Sequence, residues 1–216
     1  MKRRARSSTV SLGLQRDLDA SFEAPAAAIP ITVRPATVVE IATMLNVDDH
    51  GLNADELRER RLLLESGIPQ AYVAVTDDGQ PCYMQWLMTP ADNDRIQHLF
   101  NGSFPRLGND EALLECAYTP PAFRGLRIMP SAMAQIAERA RDHGARWVLT
   151  FVVPDNVPSL KGCKRSGFVP RLLKHDGWRL FRRRITFERL PEGTLYPFDA
   201  KPSPASPAPL AIGARA

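Results

Sequence analysis

Apolar positions along the chain fall into short alternating or continuous runs, separated by polar turns and by stretches of helical period, the pattern of a single α/β domain. Ile31-Thr32-Val33-Arg34 reads as a strand halted by Pro35. Thr37 with Glu40 three positions later predicts a capped helix through Ile41, Met44 and Leu45. Asn53 with Glu56 repeats the device for a second helix that turns Leu57, Leu63 and Leu64 inward and ends at Gly67. Residues 71–76 and 82–88 flank Asp77-Asp78-Gly79-Gln80, an antiparallel hairpin with Asp-Gly turn chemistry. Residues 111–119 form the central strand. A helix follows over 130–143, with Met133, Ile136, Ala137 and Ala140 on one face, Pro130 in its first turn and Gly144 at its end. The run Trp147-Val148-Leu149-Thr150-Phe151-Val152-Val153 is what a strand covered on both faces requires. Asn156 caps a short helix ending at Gly167, and residues 168–173 and 178–190 supply a last hairpin.

Between these elements lie three polar stretches. Residues 90–110, with Asn93, Asn101, Gly102, Pro105 and Gly108, are either a lid over a bound molecule or a long surface loop, since loops above about 12–15 residues are often functional. Residues 1–29 are basic and then Pro/Ala-rich, and read as a mobile tail, with an edge strand at Leu12, Leu14 and Leu18 as the alternative. Residues 197–216 are rich in Pro, Ala and Ser and read as a disordered tail, leaving 30–196 as the domain.

Composition changes this picture little. With 216 residues, 44% of them hydrophobic, the chain can bury one good core. Lys2, Arg3, Arg4 and Arg6 account for a charge equal to the whole net charge of +4, so the rest is balanced. No apolar run approaches the ~20 residues of a membrane span, and the basic start leads into Ser-Ser-Thr, which points to a cytoplasmic protein. Cys82, Cys116 and Cys163 lie far apart without a Cys-x-x-Cys pair, and neither a structural metal nor a disulfide framework is expected. Arg179, Arg182, Arg183, Arg184 and Arg189 raise a nucleic-acid reading, but consecutive arginines on a strand alternate faces and make no single basic patch, so nucleic acid is not expected as a partner.

The chemistry concentrates at Thr119-Pro120-Pro121-Ala122-Phe123-Arg124-Gly125-Leu126-Arg127-Ile128-Met129-Pro130, which joins the central strand to a helix through a basic turn. Unpaired N–H groups and the positive dipole end make such a helix start a phosphate site. Pro121, Phe123, Arg124, Gly125 and Ile128 match a Pro-x-aromatic-Arg-Gly-x-Gly-Ile-Gly signature, and a second signature appears as Asn156, Ser159, Gly167 and Phe168. On these residues the chain resembles the Gcn5-related N-acetyltransferases. The resemblance implies a central mixed sheet of about six to seven strands, splayed in the middle and flanked by about four helices. It also implies acetyl-coenzyme A, or another acyl-coenzyme A, as co-substrate, no metal, and a small-molecule amine as acceptor. An amino sugar or amino-acid-like amine is the first reading, a peptide or polyamine remains open, and so does a homodimer.

The same resemblance assigns residues. The turn Arg124, Gly125, Leu126, Arg127, Ile128, Met129 would hold the diphosphate, Ala117, Tyr118 and Thr119 would present backbone N–H groups to the arm and acyl carbonyl, and Asn156 and Ser159 would contact the arm. Two of the family's small residues are replaced here by Arg127 and Met129, which either crowd the phosphates or, for Arg127, reach them with a guanidinium or point into solvent. Glu115, alternating with Ala117 and Thr119, is the candidate base, with Glu111 or water as alternatives and an exposed strand carboxylate as the plain reading of either. The family's tyrosine acid is replaced by Cys163, a proton donor or a small buried helix residue; Tyr83, Tyr118 and water are other donors. Asn156 is equally a helix cap. These departures motivate a second reading, a non-catalytic relative that binds coenzyme A or a protein partner.

Overall fold

The computed structural model describes residues 6–45, 61–62, 65, 71–179 and 182–199. Its strands are β1 (Arg6–Asp17), β2 (Thr32–Pro35), β3 (Ala71–Val75), β4 (Pro81–Met88), β5 (Glu111–Tyr118), β6 (Trp147–Val152), β7 (Val169–Arg179) and β8 (Arg182–Arg189). They form one sheet in the order β2-β3-β4-β5-β6-β1-β7-β8, antiparallel throughout except between β5 and β6. Helices α1 (Val38–Leu45), α2 (Asn93–Leu99), α3 (Ile128–Arg139) and α4 (Val157–Arg165) flank it among the described residues. One face carries α3 and α4, whose Ile128, Met133, Ile136, Leu160 and Cys163 pack on Leu12, Leu14, Ala112, Leu114 and Val148. The other carries α1 and α2 through Ile41, Met44 and Ile96.

Local signals formed where they were expected. The Glu40 N–H donates to Thr37 Oγ1 at 3.2 Å and the Thr37 N–H to Glu40 Oε2 at 2.8 Å, a complete capping box at the start of α1. The Arg34 guanidinium, 2.5 Å from the same carboxylate, holds the Glu40 carboxyl down to about 2, with the Thr37 contacts adding to it. Gly79 takes φ 82 in the β3–β4 turn. The helix expected from Pro130 begins two residues earlier and continues beyond Arg139 as a turn of 3₁₀ helix to His143, closed by Gly144 at φ 79. The second helix expected from Asn53 falls outside the described residues, apart from helical positions 61, 62 and 65.

The amino-terminal segment differs most from its reading. Arg6–Asp17 is neither a mobile tail nor an edge strand; it lies inside the sheet, with Leu12 opposite Val152 on β6 and Leu173 on β7. It makes the sheet eight-stranded. Its hydrophobic alternation is short because the inward position after Leu14 is Arg16, 2% exposed, which donates to the Ala134 carbonyl at 3.0 Å and pairs with Glu138. One edge pairs with β6 over Leu12–Asp17 and the other with β7 over Arg6–Gln15, so little apolar content is needed to seat it. The following residues are tied down as well: the Ala28 N–H donates to the Leu126 carbonyl at 2.8 Å, across the basic turn.

Two more segments are better ordered than their composition suggests. Residues 90–110 contain a 3₁₀ turn and α2, and then Phe100, Phe104 and Leu107, all buried. Asn93 exchanges hydrogen bonds with the backbone of Leu107 at 2.8 and 3.0 Å, and Gln97 donates to the Phe104 carbonyl at 3.0 Å. The segment is a packed wall, not an open loop. At the other end Tyr196 donates to the Phe168 carbonyl at 2.7 Å, stacks on Phe198, and Lys164 pairs with Asp199 at 2.7 Å. Packed residues therefore extend to Asp199, and 200–216 lie outside the described residues. β7 pairs with β8 from Leu172 opposite Arg189 to Arg179 opposite Arg182, so Lys174, His175, Asp176 and Gly177 belong to β7. Among the described residues no helix is long and apolar enough to cross a membrane.

Gly13 reports on the seating of β1. A Cβ there would lie 2.7 Å from the Leu172 Cβ and 2.8 Å from the Phe151 ring. Gly13→Ala is expected to lower stability by about 1–3 kcal/mol through overpacking, read as a lower denaturant midpoint; an unchanged midpoint would mean that β1 is not held between β6 and β7.

Candidate active site

The parallel ladder between β5 and β6 is short. It joins Glu111–Leu113 to Trp147–Leu149 and stops. Beyond it β5 is bulged: Trp86 of β4 faces Glu115 and Met84 faces Tyr118, so three steps on β5 match two on β4, and Cys116 takes φ 57. The bulge breaks the strict alternation expected for Glu115, Ala117 and Thr119. Glu115 reaches across the gap, where its Oε1 accepts the Phe151 N–H at 2.8 Å. Glu111 is not brought to this gap and accepts the Gly108 N–H at 2.8 Å instead.

Three cavities adjoin one another through this opening. The first, about 560 Å³, is lined by Thr119, Arg124, Gly125, Arg127, Ile128 and Met129, together with Arg165 of α4. Ala117, Met129, Asn156 and Ser159 form a wall shared with a second cavity of about 310 Å³. Glu115, Phe151 and Val153 form a wall shared by the second with a third, of about 530 Å³.

In the first cavity the basic turn is exposed at Arg124, Gly125 and Arg127. Gly125 has φ 83 with open space where a Cβ would be, so its backbone conformation and not crowding requires glycine. Arg127 has φ 55 and stands at the N-cap of α3, where no side chain caps the first-turn N–H groups. At α4, by contrast, Asn156 Oδ1 accepts the Ser159 N–H at 3.2 Å. Arg124 Nε donates to the Thr119 carbonyl at 3.0 Å, which ties the turn to the end of β5. Met129 does not crowd the turn: its sulfur lies over Gly162, where a Cβ would come within 2.7 Å. Sequence reasoning missed Gly162 and Arg165, because their roles depend on how α4 packs against α3.

In the second cavity Cys163 is 1% exposed, its sulfur 3.9 Å from that of Met133. Burial pushes its thiol up to about 12, and the charge of Glu115 adds to the effect. A thiol so reluctant to ionise is a poor donor to another thiolate, which favours the reading of a small buried helix residue. Tyr83, also buried, donates its hydroxyl to Gln85 Oε1 at 2.7 Å, and Gln85 lines this cavity while Tyr83 and Tyr118 line the first.

The third cavity is built from residues far apart in sequence. Phe104 of the 90–110 segment meets Phe151 with ring centroids 5.5 Å apart, and the Lys174 ammonium lies 5.1 Å from the first ring and 5.8 Å from the second. Asp176 receives Arg183 Nε at 2.9 Å and Nη2 at 2.5 Å, which holds its carboxyl below the usual range. Arg183 also donates to the Asn101 carbonyl at 3.0 Å and to Ser103 Oγ at 2.8 Å, fastening the 90–110 segment to β8. Of the arginine run, Arg182 and Arg184 are exposed while Arg183 turns inward, as strand alternation requires.

No protein-family model and no curated protein matches this chain. Solved structures do. A GNAT-family acetyltransferase from Colwellia psychrerythraea superposes with a TM-score of 0.51 at 14% identity, covering 87% of this chain and 58% of its own. A Drosophila protein gives 0.50 at 15% identity, covering 82% and 53%. The Gcn5-related glucosamine N-acetyltransferase region of a fungal multi-domain β-N-acetylglucosaminidase gives 0.54 at 16%, covering 80% and 21%. The chain spans a little over half the length of the first two. Its eight-stranded mixed sheet, opened between β5 and β6 and flanked by four helices among the described residues, is the fold of the Gcn5-related N-acetyltransferases.

Proposed function

We propose that this protein is an acyl-coenzyme A-dependent N-acyltransferase of the Gcn5-related family, acetyl being the first choice of acyl group and the primary amine of a small molecule its acceptor. The observation that carries this reading is the set of three neighbouring cavities, sharing lining residues, that lie from the uncapped start of α3, along the gap between β5 and β6, to the far side of Glu115. The residues present fit an acyl-coenzyme A. Gly125 and three arginines, Arg124, Arg127 and Arg165, line one cavity beside the positive end of a 12-residue helix, a combination suited to a diphosphate.

When bound, the coenzyme supplies an acyl group activated as a thioester. The chain's own residues bind, orient and move a proton. Arg124, Arg127 and the turn from Gly125 to Met129 hold the phosphates, Ala117, Tyr118 and Thr119 run beside the arm, and Asn156 and Ser159 close its other side. Glu115 takes the proton from the attacking amine. Its carboxylate stands on the wall between the acyl and acceptor cavities, oriented by the Phe151 N–H. Tyr83, Tyr118 or water returns a proton to the departing thiolate, which needs little help as a leaving group.

The second reading, a non-catalytic protein that binds coenzyme A, draws on the buried Cys163 thiol where the family carries a tyrosine. Calorimetry with acetyl-coenzyme A, followed by a thiol-release assay over a panel of amines, separates the two. Binding with turnover supports the transferase; binding with no turnover on any amine supports the second reading.

Three substitutions test the roles. Glu115→Gln keeps an oxygen for the Phe151 N–H and should lower turnover roughly 100-fold, the ordinary worth of a general base, while sparing coenzyme affinity; an unchanged rate and pH profile removes Glu115 from this role. Arg127→Gly should weaken coenzyme binding roughly tenfold through the lost guanidinium while leaving stability within about 1 kcal/mol, since glycine takes φ 55 without strain; undiminished affinity would mean that Arg127 serves only solvent. Cys163→Ala should keep turnover within about twofold and cost about 1 kcal/mol of stability; a rate loss as large as that of Glu115→Gln would reinstate the thiol as proton donor.

A further inference from the structure

We infer that the second cavity selects a short acyl chain carrying a neutral oxygen beyond its thioester, a hydroxyl or an oxo group, with Gln85 and Thr150 as the residues that read it. The inference rests on the coenzyme-binding reading above and deepens it. Gln85, Met133, Thr150 and Cys163 line the second cavity and neither of its neighbours. All four are at most 4% exposed, so they mark its deep part. Gln85 alternates with Tyr83 and Leu87 on β4, and Thr150 with Val148 and Val152 on β6. Those four neighbours pack in the core beneath α3 and α4, so strand alternation turns Gln85 and Thr150 to that side. β5 runs between the two strands, and the two side chains flank its bulge.

Buried polar groups are normally hydrogen-bonded, and these two are not fully so. Gln85 Oε1 accepts the Tyr83 hydroxyl at 2.7 Å, which orients the amide and leaves its Nε2 without a partner among the described residues. The Thr150 hydroxyl has none there either. Neither atom is sealed in, since Arg16 Nε is the one fully enclosed side-chain nitrogen or oxygen left unpaired among the described residues. Both therefore open on the cavity they line.

Their chemistry specifies the ligand. An amide nitrogen only donates, while a hydroxyl both donates and accepts. An oxo oxygen accepts from both residues, and a ligand hydroxyl accepts from Gln85 while donating to Thr150. An ammonium offers Gln85 no acceptor. A second carboxylate would meet the charge of Glu115, and no Lys or Arg is among the residues that line this cavity. Size agrees with a chain longer than acetyl: the cavity is about 310 Å³, about twice the ~150 Å³ that holds a benzene ring. The sulfurs of Met133 and Cys163, 3.9 Å apart, give its floor a soft apolar surface for the carbons. Acetyl also fits, but carries no oxygen beyond the thioester for Gln85 and Thr150. In the transfer the acceptor nitrogen bonds to the thioester carbon as the carbon–sulfur bond breaks, the electron pair leaves on sulfur and the proton passes to Glu115. The distal oxygen keeps its bonds throughout.

The test titrates the full chain by calorimetry with coenzyme A and its butyryl, 3-hydroxybutyryl, acetoacetyl and succinyl thioesters, for the wild type, Gln85→Leu and Thr150→Val. In the wild type the 3-hydroxybutyryl and acetoacetyl thioesters should bind at least about tenfold more tightly than butyryl, because a site built to hydrogen-bond an oxygen rejects the analogue that lacks it. Succinyl should bind no better than butyryl. Gln85→Leu should erase the lead of both oxygenated chains and Thr150→Val should reduce it, with affinity for coenzyme A itself retained in each variant as the check on folding. Equal affinity for butyryl and its oxygenated partners would mean that Gln85 and Thr150 serve a bound water only, and overturns the inference alone. So does a lead that survives both substitutions, or a succinyl affinity above the others. No affinity for coenzyme A or any thioester overturns the coenzyme reading and this one together, whereas selective binding without turnover of any amine overturns the transferase and leaves the acyl selection standing.

Discussion

A missing stretch of hydrogen bonding organises this protein. In a sheet the backbone N–H and C=O groups of neighbouring strands satisfy one another, and an unsatisfied buried group costs about 1–3 kcal/mol. Between β5 and β6 the ladder ends after three residue pairs, and the Glu115 carboxylate takes over the Phe151 N–H that the ladder would otherwise have engaged. One side chain thereby does two things. It holds the strands in register across the opening, and it brings a carboxylate to the middle of the sheet, where the two sides of the molecule communicate.

On the side that faces α3 and α4, a basic turn meets the start of a helix. The start of α3 carries no side-chain cap, while α4 is capped by its own Asn156, so the field and donors of one helix remain directed at the cavity. Met129, which stands where a small residue is usual, is accommodated by Gly162 across the helix interface. The Met129 sulfur occupies the space that a Cβ at Gly162 would need, and only their spatial pairing makes that visible.

The opposite side is held by longer-range contacts. Gly13 on β1 lets the Phe151 ring lie against the sheet, Phe151 meets Phe104, and Arg183 ties the 90–110 segment to β8 through Asn101 and Ser103. Four separate parts of the chain thus converge on one wall. The charge balance of the whole sequence conceals the result, since opposite charges that cancel in a sum can still stand at defined places around a cavity.

How much of this was legible follows the range of the interactions. The capping box at Thr37 and Glu40, the Asp-Gly turn, the basic strand-to-helix turn and the Asn156 cap rest on residues within a few positions of one another, and each is readable because its geometry is local. The candidate residues Glu115 and Arg124–Met129 could be placed on their elements for the same reason. The interior position of β1 was not legible, because Arg16 is engaged by Glu138 and Ala134 and the strand by partners more than a hundred positions away. Nor was the bulge at Cys116, the partnership of Met129 with Gly162, or the convergence of Lys174, Asp176 and Arg183 on Phe104 and Phe151. The sequence by itself determined the capped helix starts, the tight turns and the basic strand-to-helix turn, since backbone preference and capping act over a few residues. Tertiary structure alone decided what stands across from what, because that depends on packing and pairing between segments that only the folded sheet brings together.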